Sequence, residues 1–219
     1  ITLNLYGDGM PDNVRASQRA AAERWGAEYV EITQPLFGWH DPFLEKLHLD
    51  RHAAAYDRVV YLDRDVIVRA DCPSLFDLVP ETHLGAVASE QDGHRLLFHI
   101  QPNMDPLCRL VGASMDYTKE YINSGVLVFS PHVHRPAFEA ARCIHGITPE
   151  RSWEIYDQGC LGLGIKWSGT PLHLLPPEFN RCGERLWDRW TPKMDAFVWH
   201  FCGKKTWEAM QNTAWHEID

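Results

Sequence analysis

The chain has 219 residues, of which 45% are hydrophobic and 23% are charged, a composition typical of one globular domain with a sizeable core. Its formal net charge of −9 excludes nucleic acid as the main partner, because phosphate backbones are bound by clusters of Lys and Arg. No apolar run approaches the roughly 20 residues of a membrane-spanning helix, and the six scattered cysteines lack zinc-site spacing, so we expect mostly free thiols in the cytoplasm.

Strands and helices alternate in the first third of the chain. Asp12 or Asn13 is expected to cap the first helix, and Gly26 stands where a glycine commonly follows a helix end. Such an alternation indicates an α/β domain with a mostly parallel central sheet flanked by helices. The predicted strands are residues 1–6, 27–33 and 58–63, and the predicted helices are residues 12–26 and 42–56.

The rest of the chain continues the mixed pattern, without repeats or a linker, so we expect a single domain over residues 1–219. Residues 90–118 have no clear periodicity and are interpreted as a lid or an acceptor loop. Further strands are predicted at residues 83–89, 121–131 and 195–203, helices at 135–145 and 152–164, and an extended segment at 170–180.

Two carboxylates stand at the end of the apolar strand at residues 58–63: Asp63 is its last residue and Asp65 follows two positions later. In an extended chain they would point to the same side, where they repel each other, and Arg64 would point away from both. A divalent cation such as Mg²⁺ or Mn²⁺ would satisfy both carboxylates. The alternative is a turn between two short strands with two solvated aspartates, and the spacing alone leaves both open.

Four short segments occur in a fixed order: DRD at 63–65, NSGV at 123–126, DQG at 157–159 and HFCGKKTW at 200–207. In this order they resemble glycosyltransferase family 8, which includes glycogenin and bacterial lipopolysaccharide α-galactosyl- and α-glucosyltransferases. The resemblance implies a GT-A fold and retaining transfer of a hexose from a UDP-sugar. It also implies a nucleotide-binding half at about residues 1–90 and an acceptor- and sugar-binding half at about residues 91–219.

The resemblance also implies residue roles. Asp63, Asp65 and His200 would bind Mn²⁺ or Mg²⁺, and Asp157 and Gln158 would be catalytic. The implied nucleotide- and phosphate-binding residues are Tyr6, Lys46, Asp63, Arg64, Asp65, Gly203 and Lys205, and the implied donor-sugar-binding residues are Asn123, Ser124, Gly125, Asp157 and Gln158.

Departures from the family pattern leave some roles open. Arg64 replaces a small residue, and a structural pairing is an alternative to phosphate binding. The last motif is one residue short, so Lys204 competes with Lys205 for the phosphate-binding role. Tyr6 would stack on uracil, but a packing role for a tyrosine at the end of the first strand fits the sequence equally well. Sugar stacking is a further possibility for Trp187 and Trp190.

Simpler structural roles exist for the other candidates. His200 is also consistent with a core histidine, and Asn123 with a turn residue. Lys46 would form an i,i+4 ion pair with Asp50 if it were only a surface residue of the second helix. Asp157 would otherwise cap a helix or pair locally.

The sequence therefore predicts a metal-dependent retaining hexosyltransferase that uses a UDP-sugar and a glycan, lipid-linked or protein acceptor. A non-catalytic module that binds a nucleotide sugar or a glycan is the alternative from another class. A sugar-1-phosphate nucleotidyltransferase is less favoured, because it needs a Gly- and Arg-rich loop near the first strand. Residues 6–17 contain Gly7, Gly9 and Arg15 but no dense basic segment.

Overall fold

The structure is a computed structural model that describes residues 1–5, 9–36, 42–89, 100–148, 157–182 and 196–201. The described α-helices are α1 (Asp12–Arg24), α2 (Pro42–Glu45), α3 (Leu49–His52), α4 (Leu75–Leu78), α5 (Gln101–Leu110), α6 (Arg135–Ile147) and α7 (Asp157–Ser168). Short 3₁₀ turns lie at Lys46–His48 and Pro177–Phe179. The strands are β1 (Thr2–Leu3), β2 (Glu31–Ile32), β3 (Val59–Leu62), β4 (Val66–Val68), β5 (Leu84–Ala88), β6 (Ile122–Phe129), β7 (Leu172–Leu175), β8 (Arg181–Cys182) and β9 (Val198–His200).

The main sheet has the strand order β3-β6-β5-β7. Strand β6 is antiparallel to both of its neighbours, whereas β5 and β7 are parallel. A second sheet has the order β4-β9-β8, with β9 antiparallel to β4 and parallel to β8. These two sheets are therefore mixed, where a mostly parallel central sheet was predicted, and β1 and β2 form a separate two-stranded parallel sheet. The prediction assumed that the strand–helix alternation of the first third continues through β5 and β6. These two strands are instead antiparallel neighbours in the main sheet.

Both faces of the main sheet are covered, as the α/β class requires. Along β6, Leu127 and Phe129 belong to the core cluster that includes the helix pair α6 and α7. Val126 and Val128 belong to the cluster on the opposite face. This alternation follows from the two-residue period of a strand. Polar side chains lie instead at the end of β3 and the beginning of β6.

The first helix agrees with its prediction except at its start. Gly26 has a φ of +65° just beyond the helix end, the backbone conformation for which glycine was expected. The predicted side-chain cap is wrong. The N-cap is Pro11, whose side chain makes no capping bond, and Asp12 lies inside the first turn, where its carboxylate is 2.8 Å from Arg15.

Helices α6 and α7 pack closely because α7 carries small residues at the contact. A Cβ added to Gly164 would stand 2.7 Å from the backbone nitrogen of Ala141 and 2.5 Å from the carbonyl of Ala137. This close packing fixes the position of the α7 N-terminus, and with it the position of Asp157. Among the described cysteines, Cys72, Cys108 and Cys160 are buried free thiols and Cys143 is an exposed one.

Candidate active site

The segment between β3 and β4 is a tight turn. The Val66 backbone nitrogen donates to the Asp63 carbonyl at 3.1 Å, and the Asp63 nitrogen donates to the Gly125 carbonyl of β6 at 2.8 Å. The Gln18 side-chain amide donates to the carbonyls of Asp63 at 2.8 Å and Val66 at 3.0 Å. The turn alternative for the aspartates is thus correct for the backbone, but their side chains are not simply solvated.

The carboxylates of Asp63 and Asp65 converge with the imidazole of His200. One ligand atom from each residue lies within 4.8 Å of the others, and His200 Nε2 is 3.2 Å from Asp65 Oδ1 and 3.5 Å from Asp63 Oδ2. Strand β9 brings the histidine here because His200 pairs in register with Val66 of β4. Two carboxylates and an imidazole form a donor set that suits a divalent metal ion.

Charge compensation inside the cluster is visible at Asp65. Burial raises the pKa of a carboxyl group, but the charge and hydrogen bond of His200 outweigh it and hold the pKa of Asp65 below its usual value. Asp65 is therefore held in its ionised form, which is the form that binds a metal ion.

Lys46 connects this cluster to a second buried carboxylate. Its Nζ donates to Asp63 Oδ2 at 2.7 Å and lies 3.2 Å from Asp157 Oδ2 and 3.4 Å from Ser124 Oγ. Burial lowers the pKa of the Lys46 ammonium, but Asp157 and then Asp63 outweigh it and raise that pKa above its ordinary value. The predicted alternative partner, Asp50, instead binds Arg142 at 2.6 Å.

Asp157 opens helix α7 and is buried at 6% exposure. Its Oδ2 accepts a hydrogen bond from Ser124 Oγ at 2.5 Å in addition to its contact with Lys46. One carboxylate oxygen is thus held by two donors, which fixes the direction of the carboxylate. Gln158 follows it in the first turn of the same helix.

The imidazole of His200 lies directly over the backbone of Gly125. A Cβ at residue 125 would stand 2.6 Å from His200 Nδ1, so only glycine leaves room for the ring. The side-chain oxygen Oδ1 of Asn180 lies 3.0 Å from the same nitrogen, His200 Nδ1. Its Nδ2 donates to Asn123 Oδ1 at 2.8 Å.

Sequence reasoning missed three residues that shape the site. Tyr61 donates its hydroxyl to Asp63 Oδ1 at 2.5 Å, a contact that the i,i+2 spacing along a strand could have suggested. Gln18 and Asn180 are distant in sequence from the residues they contact and carried no local signal.

Other predicted site residues have structural partners or lie outside the described ranges. Arg64 Nη1 donates to the Gly9 carbonyl at 2.9 Å, in line with the structural pairing considered for it. Asn123 Oδ1 accepts from the Gly125 nitrogen at 2.9 Å. Tyr6, Gly203, Lys204, Lys205, Trp187 and Trp190 lie outside the described residues.

Comparisons with known proteins identify the family of the chain. The profile of Glycosyl transferase family 8 matches residues 43–211, which is most of the chain. A search among curated proteins found no match. No helix in the described ranges is long and apolar enough to cross a membrane.

Several solved glycosyltransferases have a similar fold. The bifunctional glycosyltransferase WbbM is 20% identical with a TM-score of 0.52, over 86% of this chain but only 38% of WbbM. Galactosyltransferase LgtC, solved with donor and acceptor sugar analogues, is 21% identical with a TM-score of 0.51, over 88% of this chain and 74% of LgtC. A glycosyltransferase involved in glycosylation of the PBCV-1 major capsid is 13% identical with a TM-score of 0.60, over 97% and 98% of the two chains.

The structural matches confirm the GT-A fold predicted from the sequence, and the family match confirms the predicted glycosyltransferase class. The chain belongs to glycosyl transferase family 8.

Proposed function

We propose that the protein is a metal-dependent retaining glycosyltransferase that moves a hexose from a UDP-sugar to a glycan, lipid-linked or protein acceptor. The observation that carries the proposal is the convergence of Asp63, Asp65 and His200 within 4.8 Å, beside the buried carboxylate of Asp157. The nucleotide-binding half would comprise about residues 1–90, and the acceptor- and sugar-binding half about residues 91–219.

The metal cluster suits Mn²⁺ or Mg²⁺. Asp63, Asp65 and His200 would hold the ion, which when bound supplies positive charge for the departing diphosphate. A chain with a net charge of −9 needs such local positive charge to bind a diphosphate. Lys46 offsets the charge of Asp63 and Asp157 in the same cluster, and Lys205 remains the predicted phosphate-binding lysine.

Asp157 is placed to act on the sugar. An oxocarbenium-like transition state carries positive charge on the ring, which an ionised carboxylate stabilises. Ser124 and Lys46 both contact Asp157 Oδ2, so within the part of the chain that the structure describes the other oxygen remains for the substrate. Gln158 follows Asp157 in sequence and would supply an amide to the same sugar. Asn123, Ser124 and Gly125 are the proposed contacts of the donor sugar.

Two routes would retain the α-configuration. In a double displacement, Asp157 forms a bond to the anomeric carbon as UDP leaves; the acceptor oxygen then displaces the Asp157 carboxylate, and a phosphate oxygen of UDP takes the acceptor proton. In front-face attack, the acceptor oxygen bonds to the anomeric carbon on the side from which UDP leaves, and a phosphate oxygen takes the acceptor proton. The proposal covers both routes, because each uses the same carboxylate next to the sugar.

The test is hydrolysis of UDP-sugars without an acceptor. We expect slow release of UDP that depends on added Mn²⁺, with the donor identified by thermal shift across a panel of nucleotide sugars. Binding of a UDP-sugar without turnover, with or without candidate acceptors, would instead indicate the non-catalytic module. Formation of a nucleotide sugar from a sugar 1-phosphate and a nucleoside triphosphate would indicate a nucleotidyltransferase.

Substitutions test the metal cluster directly. Asp63→Asn and Asp65→Asn should abolish Mn²⁺-dependent UDP binding in calorimetry while the fold persists. Asp12→Asn is the matched control, because the Asp12 side chain is fully exposed and lies on α1. Unchanged UDP affinity in Mn²⁺ for both cluster variants would contradict the proposed site.

A further inference from the structure

A chain of hydrogen bonds begins at a backbone amide and ends at the imidazole of His200. The Gly125 nitrogen donates to the Asn123 side chain at 2.9 Å. A backbone N–H can only donate, so the Asn123 atom that faces it must be the oxygen Oδ1. The amide orientation of Asn123 is therefore set by the main chain of β6.

The same oxygen determines the orientation of Asn180. Asn123 Oδ1 lies 2.8 Å from the side-chain amide of Asn180. An amide oxygen can only accept, so the facing atom must be the donor Nδ2. The remaining atom, Asn180 Oδ1, then faces His200 Nδ1 at 3.0 Å. Because Oδ1 is an acceptor, His200 must carry a proton on Nδ1.

The backbone holds Asn180 firmly at this place. Asn180 is 1% exposed and closes the 3₁₀ turn Pro177–Phe179, where its nitrogen donates to the Pro177 carbonyl at 3.1 Å. It directly precedes β8, which pairs with the strand that carries His200. The amide group is therefore positioned by secondary structure on both sides.

Because Nδ1 keeps its proton for Asn180, Nε2 is the nitrogen that can bind a metal ion, after it gives up the proton through which it contacts Asp65 in the metal-free protein. Nε2 is the His200 atom that lies 3.2 Å from Asp65 Oδ1 and 3.5 Å from Asp63 Oδ2. We propose that Asn180 is a positioning residue, which holds the His200 ring and its Nδ1 proton so that Nε2 faces the cation site. This inference rests on the metal site of the proposed function, because it concerns how one ligand of that site is oriented.

Two substitutions of similar size separate this role from simple packing. Asn180→Leu removes the acceptor for His200 Nδ1, whereas Asn180→Asp keeps an acceptor but loses the donor to Asn123. We expect Asn180→Leu to weaken Mn²⁺ binding by about 10- to 100-fold, the usual effect of losing a partner of a metal-binding histidine. Asn180→Asp should bind Mn²⁺ at least as well as the wild type. A purely structural role predicts that both variants lose affinity together, and that result would overturn the inference.

The probe is Mn²⁺ itself, titrated by electron paramagnetic resonance. Pulsed measurements of the bound ion detect nitrogen-14 from a coordinating imidazole. The nitrogen signal should be present in the wild type and in Asn180→Asp, absent in His200→Ala, and reduced or absent in Asn180→Leu. Because the signal is read per bound ion, a partly misfolded variant still gives an answer. An undiminished signal in Asn180→Leu would overturn the inference.

A double-mutant cycle completes the test. If Asn180 acts through His200, Asn180→Leu should cause no further loss of Mn²⁺ affinity in the His200→Ala background. Equal losses in both backgrounds would overturn the inference and leave the metal site intact. If wild-type protein bound no Mn²⁺ at all, the metal site of the proposed function would fail first, and the inference would fail with it.

Discussion

The backbone of Gly125 packs against the imidazole ring of His200 so closely that a residue with a Cβ atom would clash with the ring. A Cβ at this position would stand 2.6 Å from His200 Nδ1 and 3.0 Å from Asn123 Oδ1, and its closest contact would be with the ring carbon Cε1. The imidazole cannot retreat easily, because His200 is 4% exposed and lies in β9 between β4 and β8. Gly125, the glycine of the NSGV segment, thus contributes to the metal cluster by leaving room for the His200 ring.

Gly125→Ala should therefore displace the His200 ring and weaken the metal site. We expect Mn²⁺ affinity to fall by about tenfold or more, as is typical when the support of a metal ligand is disturbed, and overpacking to destabilise the fold by about 1–3 kcal/mol. Calorimetric titration with Mn²⁺ and urea unfolding measure the two effects.

The control is Gly146→Ala in α6, where an added Cβ meets nothing within 4 Å. That substitution should leave Mn²⁺ affinity unchanged and should be neutral or stabilise the protein by up to about 1 kcal/mol. If Gly125→Ala bound Mn²⁺ as well as Gly146→Ala does, the His200 ring would have room to move, and its close contact with residue 125 would not matter for metal binding.

Local patterns in the sequence predicted the elements that carry the site. The apolar run at residues 58–63 forms β3, and the helix before Gly26 ends within two residues of its expected boundary. The order of the four motifs predicted the cluster of Asp63, Asp65 and His200 through the family resemblance. These features follow from short-range periodicity and from motif order, both of which are visible in one sequence.

Contacts that depend on exact helix geometry and on distant loops were not predictable. The expected Lys46–Asp50 pair required a continuous α-helix, in which i and i+4 share a face. A 3₁₀ turn at Lys46–His48 interrupts the helix, and its different number of residues per turn directs Lys46 toward Asp63 instead. Asn180 reaches His200 only because β8 and β9 pair, which no local pattern indicates.

Removal of the Lys46 charge should expose the repulsion between Asp63 and Asp157. The Lys46 side chain is 8% exposed and contacts both carboxylates. Lys46→Met leaves two buried carboxylates without this partner, which should destabilise the metal-free protein by about 3–5 kcal/mol. Mn²⁺ should raise the melting temperature more in the variant than in the wild type, because the ion replaces the missing positive charge.

Differential scanning fluorimetry with and without Mn²⁺ measures both effects. Lys119→Met is the matched control, because the Lys119 side chain is 73% exposed and its contact with Asp116 is long, at 3.8 Å. The control should change neither the melting temperature nor its response to Mn²⁺. A Lys46→Met protein as stable as the control would show that Lys46 does not compensate the two carboxylates.

His48 should make the stability of the protein depend on pH. Burial, aided by the charge of Arg142, lowers the pKa of His48 from 6.5 to about 4. Between these values the unfolded chain binds a proton that the native protein does not, so the free energy of unfolding falls as the pH drops from about 6.5 to about 4. The loss due to this group should be about 1–2 kcal/mol, which allows for solvent screening of part of the shift.

Urea unfolding of the wild type and His48→Gln at pH 7 and pH 4.5 measures this contribution. The variant should lose less stability than the wild type over that interval, since it lacks the titrating ring. His132→Gln is the control, because His132 is exposed, and it should follow the wild type. An equal loss in wild type and His48→Gln would assign the acid sensitivity to other groups.

Asp157 should control turnover without controlling nucleotide binding. Asp157→Asn keeps the size of the side chain and removes its charge, so an oxocarbenium-like transition state loses its electrostatic partner. We expect turnover to fall by a factor on the order of 10² or more, the range found when one well-placed electrostatic group is removed. UDP binding measured by calorimetry in Mn²⁺ should be nearly unchanged, because the metal cluster remains.

Asp77→Asn is the matched control for this substitution, because Asp77 is also an acidic residue in the first turn of a helix but is exposed. It should retain full turnover, which separates loss of the catalytic carboxylate from loss of a favourable helix-end charge. A fully active Asp157→Asn enzyme would remove Asp157 from the site. Proton NMR of the wild-type product should show the α-linkage of the donor, since both proposed routes retain configuration, and a β-linked product would refute the retaining mechanism.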